Sequence, residues 1–367
     1  MTMFSYSPSK VAVSACLAAL VILCFRSNVV SAQKHTAFFI FGDSSVDPGN
    51  NNYIDTIPEN RANVKPYGQN GFFKDPTGRF SDGRIIVDFI AEYAKLPLIP
   101  PFLEPSADYS HGVNFASGGA GILSTTNEGQ AIDLRTQLNY FEEVEKWLAE
   151  KLGASEAEED ARLHHPEQYV GMVLGNLTIA IQELYEKGAR NFGFLSLCPL
   201  GCLPVMRALN PKAGEGGCFE QANSLALAHN NALKTLLNNL HYLLKDFKYC
   251  NSDFYNWLQD RINNPSHYGL KEGVNACCGS RPYGGVYTCG GTKKVATYEL
   301  CDNADDYVWW DSFHPTEKIH EQFAKALWDG PQASVGPHNL QDLFFDHEIK
   351  LTIGDVVDII TENEEIV

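Results

Sequence analysis

The sequence predicts a single α/β domain, a sandwich built on a parallel sheet. Three observations predict it. Short continuous apolar runs mark strands covered on both faces. Stretches of helical period lie between those runs, which is the alternation expected of an α/β layer structure. No Pro/Ser/Gly-rich linker divides the 367 residues.

The first strand is 37–41, five apolar residues that precede Gly42-Asp43-Ser44. A second, 111–116, runs into the glycine-rich turn Ser117-Gly118-Gly119-Ala120-Gly121. A third covers 192–197, and 249–254 has a weaker strand pattern. Helices are predicted over 137–152, 169–187, 221–244 and 315–328; in the last, Ile319, Phe323 and Leu327 recur every four residues and share a face. The Ala/Glu-rich stretch 149–162 reads as a solvated helix end or loop, and 347–367 as an acidic tail.

Residues 1–32 read as a secretory leader: Lys10, a largely apolar run 11–25, then Val30-Ser31-Ala32, with no acidic residue among them. The mature chain is then expected to begin near Gln33, with the domain over 33–346. The run is shorter than the ~20 residues that span a bilayer, which argues against a stable membrane anchor. Net charge is -17, and -19 once Lys10 and Arg26 leave with the leader. Such an acidic chain is repelled by nucleic acid and by anionic membrane surfaces. Eight cysteines remain after the leader: Cys198, Cys202, Cys218, Cys250, Cys277, Cys278, Cys289 and Cys301. An even count on a secretory route predicts disulfides, with pairing unreadable; the lack of a paired C-x-x-C spacing argues against zinc. Asn176-Leu177-Thr178 is a glycosylation sequon. His164-His165 reads as an exposed loop pair, and Arg79 and Arg84 as structural ion-pair partners.

Ser44 falls just beyond the end of a parallel strand, where open sheets bind ligands. Gly42 permits a tight turn there, from which the Ser44 N–H can donate to an oxyanion. Far along the chain, Asp311-Ser312-Phe313-His314 supplies a base and a carboxylate three residues apart. With Ser44 they make up the nucleophile, base and orienting acid of acyl transfer. Pro315 suits the first position of a helix, so the imidazole is expected just before a helix N-terminus, where the neutral ring is favoured. No G-x-S-x-G elbow occurs, which argues against an ordinary α/β-hydrolase.

Three ordered blocks carry a family resemblance: 41–51 (FGDSSVDPGNN), 112–121 (GVNFASGGAG) and 311–316 (DSFHPT). They resemble the plant GDSL esterase/lipase family within the SGNH hydrolases, as do the connecting segments 76–84, 199–204 and 276–279. The resemblance covers nearly the whole mature chain. It implies a three-layer α/β/α sandwich, no metal and no organic cofactor. It matches Ser44 to the nucleophile, His314 to the base, Asp311 to its orienting acid and Gly119 to an oxyanion donor, with Gly118 as the neighbour most easily confused with it.

One family block is missing. A Gly-x-Asn-Asp segment, whose asparagine is a further oxyanion donor at the end of a central strand, has no counterpart here. Gly175-Asn176-Leu177-Thr178 differs at the two decisive positions and sits in a helical pattern. Losing one oxyanion donor typically lowers turnover by about 10² to 10³. Losing the strand strands backbone N–H and C=O groups, each at a cost of about 1–3 kcal/mol. The expected protein is a secreted serine hydrolase of the apoplast or cell wall, cleaving small-molecule or acyl-lipid esters through an acyl-enzyme on Ser44. The alternatives are a catalytically inactive accessory or binding relative, and an incomplete version of an active enzyme.

Overall fold

A computed structural model describes residues 21–25, 36–152, 169–210, 217–290, 297–332 and 334–345. The leader's cleavage triplet, His164-His165 and the acidic tail lie outside the described residues. The strands are β1 (Val21–Phe25), β2 (Ala37–Phe41), β3 (Gly112–Asn114), β4 (Asn191–Leu195), β5 (Lys248–Ser252), β6 (Glu272–Ala276), β7 (Cys278–Gly279), β8 (Glu299–Leu300), β9 (Tyr307–Trp309) and β10 (Val335–Pro337). The α-helices are α1 (Ile86–Tyr93), α2 (Leu134–Leu152), α3 (Tyr169–Glu186), α4 (Pro204–Leu209), α5 (Glu220–Leu243), α6 (Phe254–Asn263), α7 (Glu317–Asp329) and α8 (Leu340–Phe345).

Six strands form one sheet in the order β10-β5-β4-β1-β2-β3. β2 with β3, and β4 with β5, pair in parallel. The alternating side chains of β2 show why its apolar run is continuous. Phe39 and Phe41 enter a core shared with α2, α3 and α5. Phe38 and Ile40 enter the opposite core, shared with α1, α7 and α8. Aromatic edges lock both faces: Phe39 meets Phe141 of α2 with ring centroids 5.2 Å apart, and Phe38 meets Phe344 of α8 at 5.6 Å. The architecture is thus the three-layer α/β/α sandwich expected from the sequence.

The middle of the sheet differs from that expectation. β1 runs antiparallel to both of its neighbours, β2 and β4, and occupies the position the sequence left without a strand. Its residues come from the run assigned to the leader. β10 is also antiparallel, at the β5 edge.

Helix ends shift for identifiable reasons. α2 begins at Leu134 rather than at 137, since the Asp133 carboxylate accepts from the Thr136 N–H at 3.1 Å and caps it. α1 was not predicted: it is only eight residues long, and a short apolar run such as Ile85-Ile86-Val87 cannot be told from a buried strand by its pattern. Of the eight cysteines, six form disulfides: Cys202–Cys218, Cys277–Cys301 and Cys278–Cys289. Cys198 and Cys250 carry none; Cys250 lies within β5 and is buried, and Cys198 follows the end of β4.

Candidate active site

Ser44 sits on a turn at the carboxyl end of β2. The Asp43 carbonyl accepts from the Val46 N–H at 3.2 Å, and its Oδ1 accepts from the Ser45 N–H at 2.9 Å. Gly42, at the base of the turn, is clamped by the buried Gln137 side chain. Its N–H donates to Gln137 Oε1 and its carbonyl accepts from Gln137 Nε2, both at 2.9 Å. Gln137 Nε2 also donates to the Ile132 carbonyl at 2.7 Å, so the turn is tied to the start of α2. Burial pushes the Asp43 carboxyl up, against the opposing pull of its hydrogen bonds with Ser45.

Asp311 and His314 lie on the loop after β9, folded back so that the Trp310 N–H donates to the His314 carbonyl at 2.8 Å. Asp311 Oδ1 accepts from the N–H groups of Phe313 and His314, each at 2.8 Å, and faces His314 Nδ1 at 2.8 Å. Its Oδ2 lies 3.0 Å from Nδ1 and accepts from the Tyr67 hydroxyl at 2.8 Å. On the far side of the ring, His314 Nε2 is 2.8 Å from Ser44 Oγ. A carboxylate against Nδ1 requires the proton there, which leaves Nε2 as acceptor for the serine hydroxyl. Three residues up to 270 positions apart therefore form one hydrogen-bonded line.

The helix-end expectation for His314 needs correction. α7 begins at Glu317 with Thr316 as its N-cap, and Pro315 instead bridges to Trp309 in an extended segment. The imidazole is oriented by the Asp311 turn and by the Phe80 ring, whose centroid is 4.8 Å away, rather than by a helix terminus. Beside it is a recess lined by Glu59, Tyr67, Phe80, Tyr287, Cys289 and Phe313.

The glycine turn after β3 is tied to the Ser44 loop by side-chain amides and one carboxylate. Asp47 Oδ1 accepts from the N–H groups of Gly49 and Asn50, both at 2.7 Å, and its Oδ2 accepts from the Gly118 N–H at 2.8 Å. Asn50 donates to the Asn114 and Ala116 carbonyls, Asn51 to those of Asn60 and Gly118, and Asn114 to that of Val46. Arg79, paired with Asp88 at 2.8 Å in a buried ion pair, also donates to the Pro48 carbonyl at 3.1 Å. Arg84 pairs with Glu317 and Glu92. Both arginines are thus structural, as expected. Despite three donors, burial raises the Asp47 carboxyl to about 6.

This network separates the two glycines. The Gly118 N–H is engaged by Asp47, whereas the N–H groups of Gly119 and Ser44 have no protein acceptor among the described residues. Gly119 has φ +84°, and a Cβ there would come within 2.8 Å of Asn60 Oδ1, so the turn admits only glycine without strain. Asn176 lies elsewhere, exposed on α3, where its amide donates to the Met172 carbonyl; Leu177 beside it is fully buried. The Gly175–Thr178 look-alike is therefore mid-helix and not a strand end.

Sequence reasoning missed Tyr67 and Gln137. Tyr67 stands 244 positions from Asp311, and Gln137 reads in sequence only as the start of a helix, so neither carries a local signal.

Comparison with known proteins follows the same chemistry. The family described as GDSL-like lipase/acylhydrolase matches residues 38–327. GDSL esterase/lipase 5 of Arabidopsis thaliana is 45% identical over 340 residues, covering 84% of this chain and 87% of the relative. A GDSL lipase of Tanacetum cinerariifolium is 44% identical over 346 residues, covering 89% and 93%. GDSL esterase/lipase 1 of Arabidopsis thaliana is 45% identical over 348 residues, covering 87% and 92%. In the first of these, 340 aligned positions meet about 308 residues of this chain (84% of 367), so about thirty have no counterpart here.

Proposed function

Because the chain belongs to the GDSL-like lipase/acylhydrolase family and is a carboxylic ester hydrolase, we propose that it cleaves acyl esters through a covalent intermediate on Ser44. The observation that carries this reading is the line Ser44 Oγ, His314 Nε2, His314 Nδ1, Asp311 Oδ1, with 2.8 Å at each hydrogen bond.

As Ser44 Oγ attacks the ester carbonyl, His314 Nε2 takes its proton, and Asp311 stabilises the imidazolium without itself becoming protonated. The N–H groups of Ser44 and Gly119 receive the oxyanion. His314 then protonates the departing alcohol, and a water activated by the same nitrogen releases the acid. Without the asparagine donor of the missing block, turnover is expected about 10² to 10³ below that of an enzyme with all three donors. The inactive-relative alternative draws no support from the geometry at Ser44 or from the names of the relatives.

The substrate class is an acyl ester of small-molecule or lipid type, since the relatives are named esterases and lipases. A secretory, extracellular setting is supported by the apolar run near the amino terminus and by three disulfides. The test is hydrolysis of a short p-nitrophenyl ester by the purified chain beside Ser44→Ala, with circular dichroism on both. Activity that disappears in the folded variant is the expected result. A folded wild-type chain that is inert overturns the reading.

A further inference from the structure

We infer that the aromatic recess beside His314 is the subsite for the leaving alcohol, that Tyr287 and Phe313 set its specificity, and that the preferred substrates are esters of alcohols carrying a planar aromatic group. The inference rests on the hydrolase reading of Ser44 and names the substrate class for that same site.

The reaction itself fixes which half of the ester lies here. When the acyl-enzyme forms, the bond between the acyl carbon and the alcohol oxygen breaks, the electron pair stays on that oxygen, and the proton held on His314 Nε2 passes to it. The leaving oxygen must therefore come within hydrogen-bond reach of Nε2, the atom 2.8 Å from Ser44 Oγ. The carbonyl oxygen goes instead to the N–H groups of Ser44 and Gly119. The alcohol is thus the half of the ester that extends past the imidazole, and His314 forms part of the recess lining.

Four aromatic rings line the recess: Tyr67, Phe80, Tyr287 and Phe313. Tyr67 and Phe80 are buried and meet edge to face, with ring centroids 6.0 Å apart. Phe80 lies 4.8 Å from the imidazole centroid and Phe313 6.1 Å from it. Tyr287 and Phe313 pack against each other at 4.6 Å with 31° between their planes. Of the four rings these two are only half-buried, so a ligand can still cover them. An aromatic group gains offset or edge contacts on such rings beyond the area it buries, which a saturated ring of the same size does not.

Tyr287 is held in place at a conformational cost. Its φ is +53°, in the left-handed region that a tyrosine seldom adopts, and such strain persists only where the surroundings enforce it. Here the loop enforces it. The Ser280 N–H donates to Thr288 Oγ1 at 2.7 Å, Thr288 Oγ1 donates to the Gly284 carbonyl at 2.6 Å, and Cys278–Cys289 closes the loop. The Cys278 N–H donates to the Trp310 carbonyl at 2.8 Å, one residue before Asp311. The wall is therefore fixed to the catalytic loop, and a wall formed in advance costs a ligand little ordering.

The test compares kcat/KM for benzyl acetate, cyclohexylmethyl acetate and benzyl hexanoate on the purified chain, with circular dichroism on every variant. The first two differ only in the ring of the alcohol, and the first and third only in the acyl chain. After division by the rates of alkaline hydrolysis of the same esters, the parent is expected to favour benzyl over cyclohexylmethyl acetate by roughly three- to tenfold. Tyr287→Leu and Phe313→Leu should each cut that preference by about twofold or more and leave the acetate-to-hexanoate ratio unchanged. Tyr287→Phe keeps the ring and should keep the preference. Ratios taken within one variant cancel any general loss of activity from disturbed packing. A parent that hydrolyses all three esters without preference for the benzyl alcohol overturns the inference and leaves the hydrolase reading standing. Leucine variants that change the acyl ratio and not the alcohol ratio also overturn it, since the recess would then hold the acyl chain. A folded parent inert towards all three removes the hydrolase reading, and this inference falls with it.

Discussion

The Tyr67 hydroxyl donates to Asp311 Oδ2 at 2.8 Å, on the same carboxylate that holds His314 Nδ1. Both residues are buried, and burial first and the Asp311 charge second hold the phenol well above its ordinary pKa, so it stays a donor throughout the working range. Tyr67→Phe removes that donor and leaves more of the carboxylate's charge directed at the ring. The expected result is roughly a tenfold fall in kcat with KM little changed, and an acid limb of the pH–rate profile moved to higher pH. Kinetics from pH 5 to 9 check it; a loss of activity without movement of the limb would mean that Tyr67 only packs.

Gln137 makes three buried hydrogen bonds, two of them to the glycine that starts the Ser44 turn. Gln137→Ala orphans the Gly42 N–H in a dry site and should lower stability by about 2–4 kcal/mol. Gln137→Glu keeps the acceptor for that N–H and loses the donor to the Gly42 and Ile132 carbonyls, so it should also destabilise. Urea unfolding of both variants, compared at equal m-value, measures the cost. Because the turn positions Ser44, kcat should fall in both while the proteins remain folded.

Asp82 accepts from the Glu317 N–H at 2.8 Å at the start of α7, and burial raises its carboxyl to about 6. Its ordinary value is 3.8. A folded-state pKa above the unfolded one means that the native protein binds this proton more tightly. Stability from this group is therefore greatest below about pH 4, falls as pH rises towards 6 and is level above. Asp82→Asn keeps the acceptor oxygen and removes the charge. The variant should match the parent at pH 4 and become the more stable of the two by pH 7, by up to about 3 kcal/mol. Asp47 titrates in the same window in both proteins, so the difference in Tm between them isolates Asp82.

Cys278–Cys289 closes a loop of sequence separation 11, and Cys289 lines the recess beside His314. Replacing both cysteines by serine should lower stability by about 3 kcal/mol and raise KM, because the recess wall loosens. Cys202–Cys218, with separation 16, is a control of similar stability cost that does not line the recess. Equal KM effects from both pairs would remove the recess from substrate binding.

The local elements, and the chemistry they carry, were legible in the order of the residues. An all-apolar run of five ending in Gly-Asp-Ser marked β2 and put Ser44 past its end, because a short strand covered on both faces carries apolar side chains at every position. Asp311 and His314 were legible for the same reason: a carboxylate and an imidazole three residues apart can share one turn, and Asp311 Oδ1 takes the N–H groups of that turn as well as the ring. The DPGNN and GVNFASGG blocks were legible as motifs, although their purpose, a web of asparagine side chains holding two loops at fixed distance, was not.

Whatever depends on contacts distant in sequence was settled by the fold in three dimensions. It brought Ser44 to His314, set Tyr67 on Asp311, placed Gln137 against Gly42, and assigned the Gly118 N–H to Asp47, while the Gly119 N–H has no protein acceptor among the described residues. It moved the start of α7 past Pro315, because the backbone there continues as an extended bridge to Trp309. Most of all, it filled the centre of the sheet. Composition marks Val21–Phe25 as apolar and suited to a leader, and an apolar run of that length suits a buried strand equally well. Only the ladders to β2 on one side and β4 on the other, contacts that no local apolar run specifies, set it in the sheet.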